Sequence, residues 1–453
     1  MEDTIEINKE AAIAGDRRTG ACPVCDRAVQ GELLSISALP ESLQSIITPN
    51  AASADAAEVC GRCVELFDRA QRQIESHATI FEQNDFVLPT PLRMDTDERF
   101  TGRGITIAFL DSGFYAHPDL TTPNNRILAY HSIFAEEGDQ TSLETNDVAS
   151  WHGMMTSVVA TGNGALADGF YRGIASDANV VLVKIGRTGR ISEDQIQKGL
   201  EWVLAHMEEH QIRVINISAG GDFEESYLTN PLSQTVGRCA RAGLAVVCAV
   251  GNAGHVPGHA VLPPASAPSC IAVGGLDDRN SLDRARRGMY RSSYGPTIDG
   301  LQKPEVIAPG IWVAAPILPH TPTAEEAELY SKLDAAPDED LRVILESNAG
   351  VDTDLDEASA FPIPLMRQLI TMKLREGNVI NPHYKYVDGT SFAAPIVSSI
   401  IACMLEANPR LSLQQIKRIL IDTAERVPEV EVDRQGWGVV SARRAVESAL
   451  ALA

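Results

Sequence analysis

Three short stretches of this 453-residue chain carry side chains whose types suit acyl-transfer chemistry. Asp111 ends the apolar run I-A-F-L-D-S-G. His152 stands before a glycine at the head of an apolar helix, W-H-G-M-M-T-S. Ser391 follows a Gly-Thr turn and opens another helix, D-G-T-S-F-A-A-P. Each alone has an ordinary explanation, because Asp and Ser are common helix caps and short motifs match by chance. Together they supply a nucleophile, a base and a carboxylate. A hydroxyl is a poor nucleophile until a base removes its proton, and an imidazole does so when a carboxylate holds it in one tautomer. A fourth stretch, A-V-G-N-A-G, ends a strand at Asn252. Its carboxamide can donate to a developing oxyanion, with the Ser391 backbone N–H at a helix start as second donor.

The elements that must position these groups alternate in type. GITIAFLDSG, NVVLVKIG, RVINISAGG, LAVVCAVGNAG and CIAVGGLD read as buried strands. The stretches HGMMTSVVATG, SEDQIQKGLEWVLAHMEEH and NPLSQTVGRCARAG read as the helices between them. This alternation predicts an α/β fold with a parallel sheet covered on both faces. In such sheets chemistry gathers beyond the C-terminal strand ends, where Asp111, Gly220 and Asn252 fall.

The motifs and their order resemble the subtilisin-like serine proteases, the subtilase family, from about Gly104 to Val446. HPDL, INISAGG, SCIAVGG, SSYGP, KPEVIAPG and GWGVVSA add to the likeness. The resemblance implies a three-layer subtilisin-like domain over residues 96–453 and a serine endopeptidase acting on proteins or peptides. Asp111 would orient the base, His152 serve as general base and acid, Ser391 as nucleophile and Asn252 as oxyanion donor. It also implies a substrate pocket walled by Ser218, Ala219, Gly220, Gly221, Ala249, Val250 and Gly251. Leu262 would shorten that pocket and favour small or medium side chains. Met154 and Met155 stand where the family often has Thr-His. Some relatives bind Ca2+ after the His helix, and GNGALADG offers only Asn163 and Asp168 for it, well short of a calcium cage. Two alternatives share the sequence: an inactive binding or scaffold protein on this fold, and an esterase using the same triad.

Residues 1–95 differ in character. Cys22, Cys25, Cys60 and Cys63 form two C-x-x-C pairs, which suit a four-cysteine structural Zn2+ site in a zinc-ribbon-like module. The Pro-rich PTPLRMD (89–95) reads as a linker. Cys239, Cys248, Cys270 and Cys403 lie in apolar runs and read as core residues. Residues 317–386 hold 13 acidic and 6 basic residues and read as an insertion of loops with one or two helices. Either this insertion or the N-terminal module offers a place for a partner protein. His206 and His210 read as a solvated helix end. With Lys+Arg at 38 and Asp+Glu at 61, the net charge of −23 argues against a nucleic-acid partner. The first residues show no signal-peptide pattern, and no apolar run of membrane-spanning length stands out, so a cytoplasmic protein without a membrane partner is expected.

Overall fold

The structure, a computed structural model, describes residues 22–23, 33–48, 57–76, 87–134, 143–145, 147–187 and 191–453. The chain divides into two compact units, Met1–Asn84 with Asp278–Arg287, and Asp85–Asp277 with Gly288–Ala453.

In the smaller unit, strands Leu33–Ser35 and Glu58–Cys60 pair antiparallel, and helices Glu41–Ile47 and Gly61–Ser76 follow them. Ile36, Leu39, Leu43, Ile47, Val59, Val64 and Phe67 form its small core with Cys22, Cys60 and Cys63.

The larger unit is built on a sheet with strands in the spatial order Val306–Pro309, Ile271–Asp277, Ala245–Ala249, Ile212–Ile217, Thr106–Asp111, Asn179–Lys184 and Ile127–Ser132. All these neighbours run parallel, and Gly288–Met289 adds a short antiparallel edge. Successive strand residues point to opposite faces. Ile107, Phe109, Leu182, Val214, Val247 and Val273 pack on one side, against Ile396 and Ile400. Ala108, Leu110, Val183, Ile215 and Val246 pack on the other, against Leu200, Val203, Leu232 and Val236. Helices therefore cover both faces, as the run-and-helix alternation predicts. Helix Glu193–His206 is closed by a capping box between Ser192 and Gln195, so its start is specified locally.

Helix Thr390–Ala407 has the length and composition of a membrane span, but 83% of it is buried inside the protein. It is the central core helix of its layer. Cys239, Cys248, Cys270 and Cys403 are buried, as expected.

Three expectations need correction. Pro89–Asp95 is packed, not an open linker. Thr90–Arg93 forms a buried helical turn, and the Arg93 guanidinium donates to the carbonyls of Ile311 and Trp312. Residues 317–386 hold four helices, Pro322–Ala335, Leu341–Ser347, Thr353–Ala358 and Ile363–Glu376. These pack around Leu329, Leu333, Leu341, Leu345, Leu355, Met366 and Ile370. Strand Tyr384–Val387 pairs with Val313–Pro316, so the two ends of this segment are clamped together. His206 and His210 are half-buried in a ring stack: the Trp202 and His206 centroids lie 4.2 Å apart, and His131 covers the other side of Trp202 at 4.6 Å.

Candidate active site

Asp111 closes strand Thr106–Asp111 and is buried. Its carboxylate accepts from the Ser112 N–H at 2.8 Å and the Thr156 hydroxyl at 3.2 Å. It also receives His152 Nδ1, at 2.8 and 3.0 Å from its two oxygens. A carboxylate only accepts, so Nδ1 carries the proton and Nε2 is left as the basic nitrogen. Burial of the imidazole works against its charged form, but the Asp111 charge and hydrogen bond outweigh this and hold the His152 pKa above its ordinary value.

The sequence after His152 explains how the helix comes so close. A Cβ on Gly153 would lie 2.1 Å from the Gly113 carbonyl oxygen and 2.9 Å from the Asp111 Cβ, so only glycine fits. The Ser112 hydroxyl donates to the Ala149 carbonyl at 2.8 Å and fastens the start of helix Ser150–Thr161. Met154 and Met155 turn into the core, so the departure from Thr-His leaves the Asp111–His152 pair untouched.

On its other side the His152 ring faces Phe392, with centroids 5.9 Å apart, beside Ser391 in the first turn of Thr390–Ala407. The turn before it needs Gly389, whose φ of 140° is a conformation L side chains rarely adopt. Ser391 Oγ donates to the Ser218 carbonyl at 3.4 Å. Pro395 lies inside this helix, so the Ser391 carbonyl has no i+4 N–H to accept from. The Ser218 hydroxyl fills that place at 2.8 Å. Ser218 is itself held by Asn216 at 3.0 Å, and Asn216 by the Ser398 hydroxyl at 3.0 Å. Leaving such a buried carbonyl unpaired costs about 1–3 kcal/mol.

Asn252 lies just past strand Ala245–Ala249. Its Oδ1 accepts from the Thr390 N–H at 2.9 Å and the Thr390 hydroxyl at 3.0 Å. Both bonds fix the carboxamide with its NH2 group on the side of Gly389, where an added Cβ would lie 3.8 Å from Nδ2. The structure thus gathers Asp111, His152, Ser391 and Asn252 at the C-terminal strand ends and the adjoining helix starts.

The expected pocket segments also meet. Ser218–Gly221 and Ala249–Gly251 continue neighbouring strands, and the Gly221 N–H donates at 2.6 Å to Pro263, next to the half-buried Leu262. A Cβ on Gly220 would meet nothing within 4 Å, whereas one on Gly221 would strike the Glu193 carboxylate. Thr156, Thr390 and Glu193 were not apparent in the sequence, since each acts only through a neighbour distant in the chain. Pro395, four residues after Ser391, is the one local signal that an orphaned carbonyl needed a partner.

Two metal readings are tested by the donor sets. Cys22, Cys60 and Cys63 offer sulfurs that all lie within 4.8 Å of one another, with Cys22 Sγ and Cys63 Sγ 3.9 Å apart. Tetrahedral zinc with bonds of about 2.3 Å sets its sulfurs about 3.8 Å apart, so the three thiols fit. Cys25, the fourth expected ligand, lies outside the described residues. The Asn163 and Asp168 loop does not fit Ca2+. Asn163 spends its carboxamide on the Ala165 N–H and the Thr122 carbonyl, and Asp168 is exposed. The buried carboxylate beside them, Asp119, is filled by the Tyr384 hydroxyl at 2.7 Å and the Leu166 N–H at 3.4 Å.

The Subtilase family model matches residues 102–438. Serine protease AprX of Bacillus subtilis (strain 168) is 28% identical over 357 residues, 77% of this chain and 67% of AprX. Subtilisin BL of Lederbergia lenta is 28% identical over 213 residues, 47% of this chain and 65% of that protein. The alignment thus spans about two thirds of these two relatives. The solved protease domain of PatA is 20% identical, with a TM-score of 0.50 over 78% of this chain and 97% of the domain, a likeness of fold. The chain belongs to the subtilase family of serine-type endopeptidases.

Proposed function

We propose that this protein hydrolyses peptide bonds in protein or peptide substrates, with Ser391 as nucleophile, His152 as base and Asp111 as its orienter. The observation that carries this reading is the Asp111–His152 pair, with two contacts of 2.8 and 3.0 Å, set beside the Ser391 turn. For attack the Ser391 hydroxyl turns from the Ser218 carbonyl to His152 Nε2, which takes its proton and later passes it to the leaving amine. The Ser391 N–H has no hydrogen-bond partner among the described residues, and with the Asn252 NH2 it provides the two oxyanion donors. Ser218–Gly221 and Ala249–Gly251 flank the substrate side chain, with Leu262 at the base.

The test is labelling with a fluorophosphonate, mapping of the modified residue and profiling against a peptide library. Label on Ser391 with peptide turnover supports the proposal. No label points to an inactive scaffold, and label with ester but no peptide turnover points to an esterase.

Asn252→Ala should lower kcat by roughly 10²–10³ with little change in KM, the magnitude known for the matching donor in subtilisin, a member of this family. Thr390→Val keeps the side-chain shape but removes one of the two bonds that fix Asn252, so its loss should be smaller and also in kcat. Steady-state kinetics decide this, and an Asn252→Ala enzyme within twofold of the parent would remove Asn252 from the oxyanion site.

The raised His152 pKa sets the pH profile. Below it the imidazole is protonated and cannot act as base, so kcat/KM should fall about tenfold per pH unit, from a midpoint above the ordinary imidazole value of about 6.5. A profile flat from pH 8 to pH 5 would contradict the assignment of His152.

We further propose that Cys22, Cys25, Cys60 and Cys63 hold one structural Zn2+ in the smaller unit, supported by the proximity of the three described thiols. When bound, the metal would cross-link the first C-x-x-C pair to the turn at Cys60–Cys63.

A further inference from the structure

Asn252 stands in a turn with little packing of its own. It is exposed, Gly251 and Gly254 beside it have no side chain, and Ala253 carries only a methyl group. Glycines leave a backbone free to move, so hydrogen bonds must fix this turn. One set comes from the Ser391 helix. The Thr390 hydroxyl accepts from the Gly251 N–H at 3.2 Å, besides the two bonds from Thr390 to Asn252 Oδ1.

The other set comes from a separate element, the stretch 290–293 that follows the edge strand Gly288–Met289. Ser293, in the SSYGP motif, is buried at 2% exposure. Its N–H donates to the Gly251 carbonyl at 2.8 Å, and its hydroxyl accepts from the Ala253 N–H at 3.2 Å. One residue thus bridges Asn252, from the position before it to the position after. The Arg291 carbonyl accepts from the Gly254 N–H at 3.1 Å, and a Cβ on Gly254 would lie 1.9 Å from the Ser292 carbonyl oxygen. The stretch is itself rooted in the sheet. Tyr290 N–H donates to the Gly275 carbonyl at 3.1 Å, and the Ser292 hydroxyl accepts from the Gly275 N–H at 2.6 Å.

We infer that Ser293 is a positioning residue for the oxyanion site, fixing the backbone from which the Asn252 carboxamide projects. An oxyanion donor works only within about 2.7–3.1 Å of the developing charge. A misplacement of about 1 Å can cost about a hundredfold in rate. Thr390 sets the orientation of the carboxamide, and Ser293 sets where its backbone starts. Without the hydroxyl the Ala253 N–H loses its acceptor and one half of the bridge opens. Thr390 still holds Oδ1, so the loss should be smaller than that of Asn252→Ala.

The inference rests on the proteolytic reading, and kinetics of Ser293→Ala in two backgrounds test it. In the parent, Ser293→Ala should lower kcat about tenfold with KM within about twofold, the pattern of an interaction made in the transition state. In Asn252→Ala protein the same change should cost nothing further, because no donor is left to misplace. A merely structural serine would act alike in both backgrounds. Hydrogen exchange of the 251–254 amides should quicken in Ser293→Ala, and circular dichroism reports whether each variant is folded. Parental kcat in folded Ser293→Ala overturns the inference, as does an equal further loss in the Asn252→Ala protein. Ser391→Ala run alongside separates the two readings. Retained hydrolysis there rejects the proteolytic reading, while exchange of the Ala253 amide needs no turnover. Unchanged exchange of that amide in Ser293→Ala overturns the positioning role by itself.

Discussion

Ser391→Ala protein should lose peptide hydrolysis by on the order of 10⁶-fold in kcat, the figure measured for the same loss in subtilisin itself. In the proposed mechanism the hydroxyl oxygen forms the acyl bond, and no other described side chain at this turn replaces it. Phe392 is apolar, and the Thr390 hydroxyl is engaged with Asn252. The residual rate would come from the oxyanion donors and from substrate positioning alone. Folding should be unaffected, because Ser391 Oγ makes a single contact of 3.4 Å and the helix is held through its carbonyl by Ser218. The comparison is a progress curve on one peptide for parent and variant, with melting temperatures measured in parallel. A folded variant that retains parental turnover would place the nucleophile elsewhere.

The second large effect concerns the metal. Among the described residues, the core of the smaller unit draws on two short helix faces and one strand pair, a small core for an independent unit. Zinc bound by four thiolates supplies apparent free energies of about 10–16 kcal/mol in comparable small modules. The purified protein should therefore carry one zinc per chain. Chelation, or Cys60→Ser, should abolish hydrogen-exchange protection in residues 33–48 and 57–76 while the sheet of the larger unit stays protected. Cys25→Ser should do the same if the fourth ligand is assigned correctly. Metal-free protein with four free thiols and undiminished protection would refute the site.

Much of the candidate site was legible because its members sit at the ends of strongly patterned elements. Asp111 ends an all-buried strand, and Asn252 follows another. Gly153 and Gly389 flank their functional neighbours because the backbone permits nothing else there. The 317–386 segment misled for the opposite reason. Its charges dominate any window average, while several residues that build its core, Leu333, Leu341 and Leu355, stand singly between charged neighbours. Partners such as Ser218 for the Ser391 carbonyl, or Tyr384 for Asp119, are separated by 173 and 265 residues. No local pattern specifies such a pair, since the fold alone brings the two together.

The burial of helix Thr390–Ala407 against the sheet has a consequence for biosynthesis. Asp111 and His152 leave the ribosome well before the helix that carries Ser391 and fills one face of the core. Until it docks, Val214, Val247 and Val273 lack its cover on that side, and the Asn252 carboxamide has no Thr390 to orient it. Chains fold as they emerge, from the N-terminal end. In the proposed mechanism a nascent chain therefore cannot cut its neighbours or itself until the helix that carries Ser391 has been made and has docked. Translation order would then act as a timer on the proposed triad.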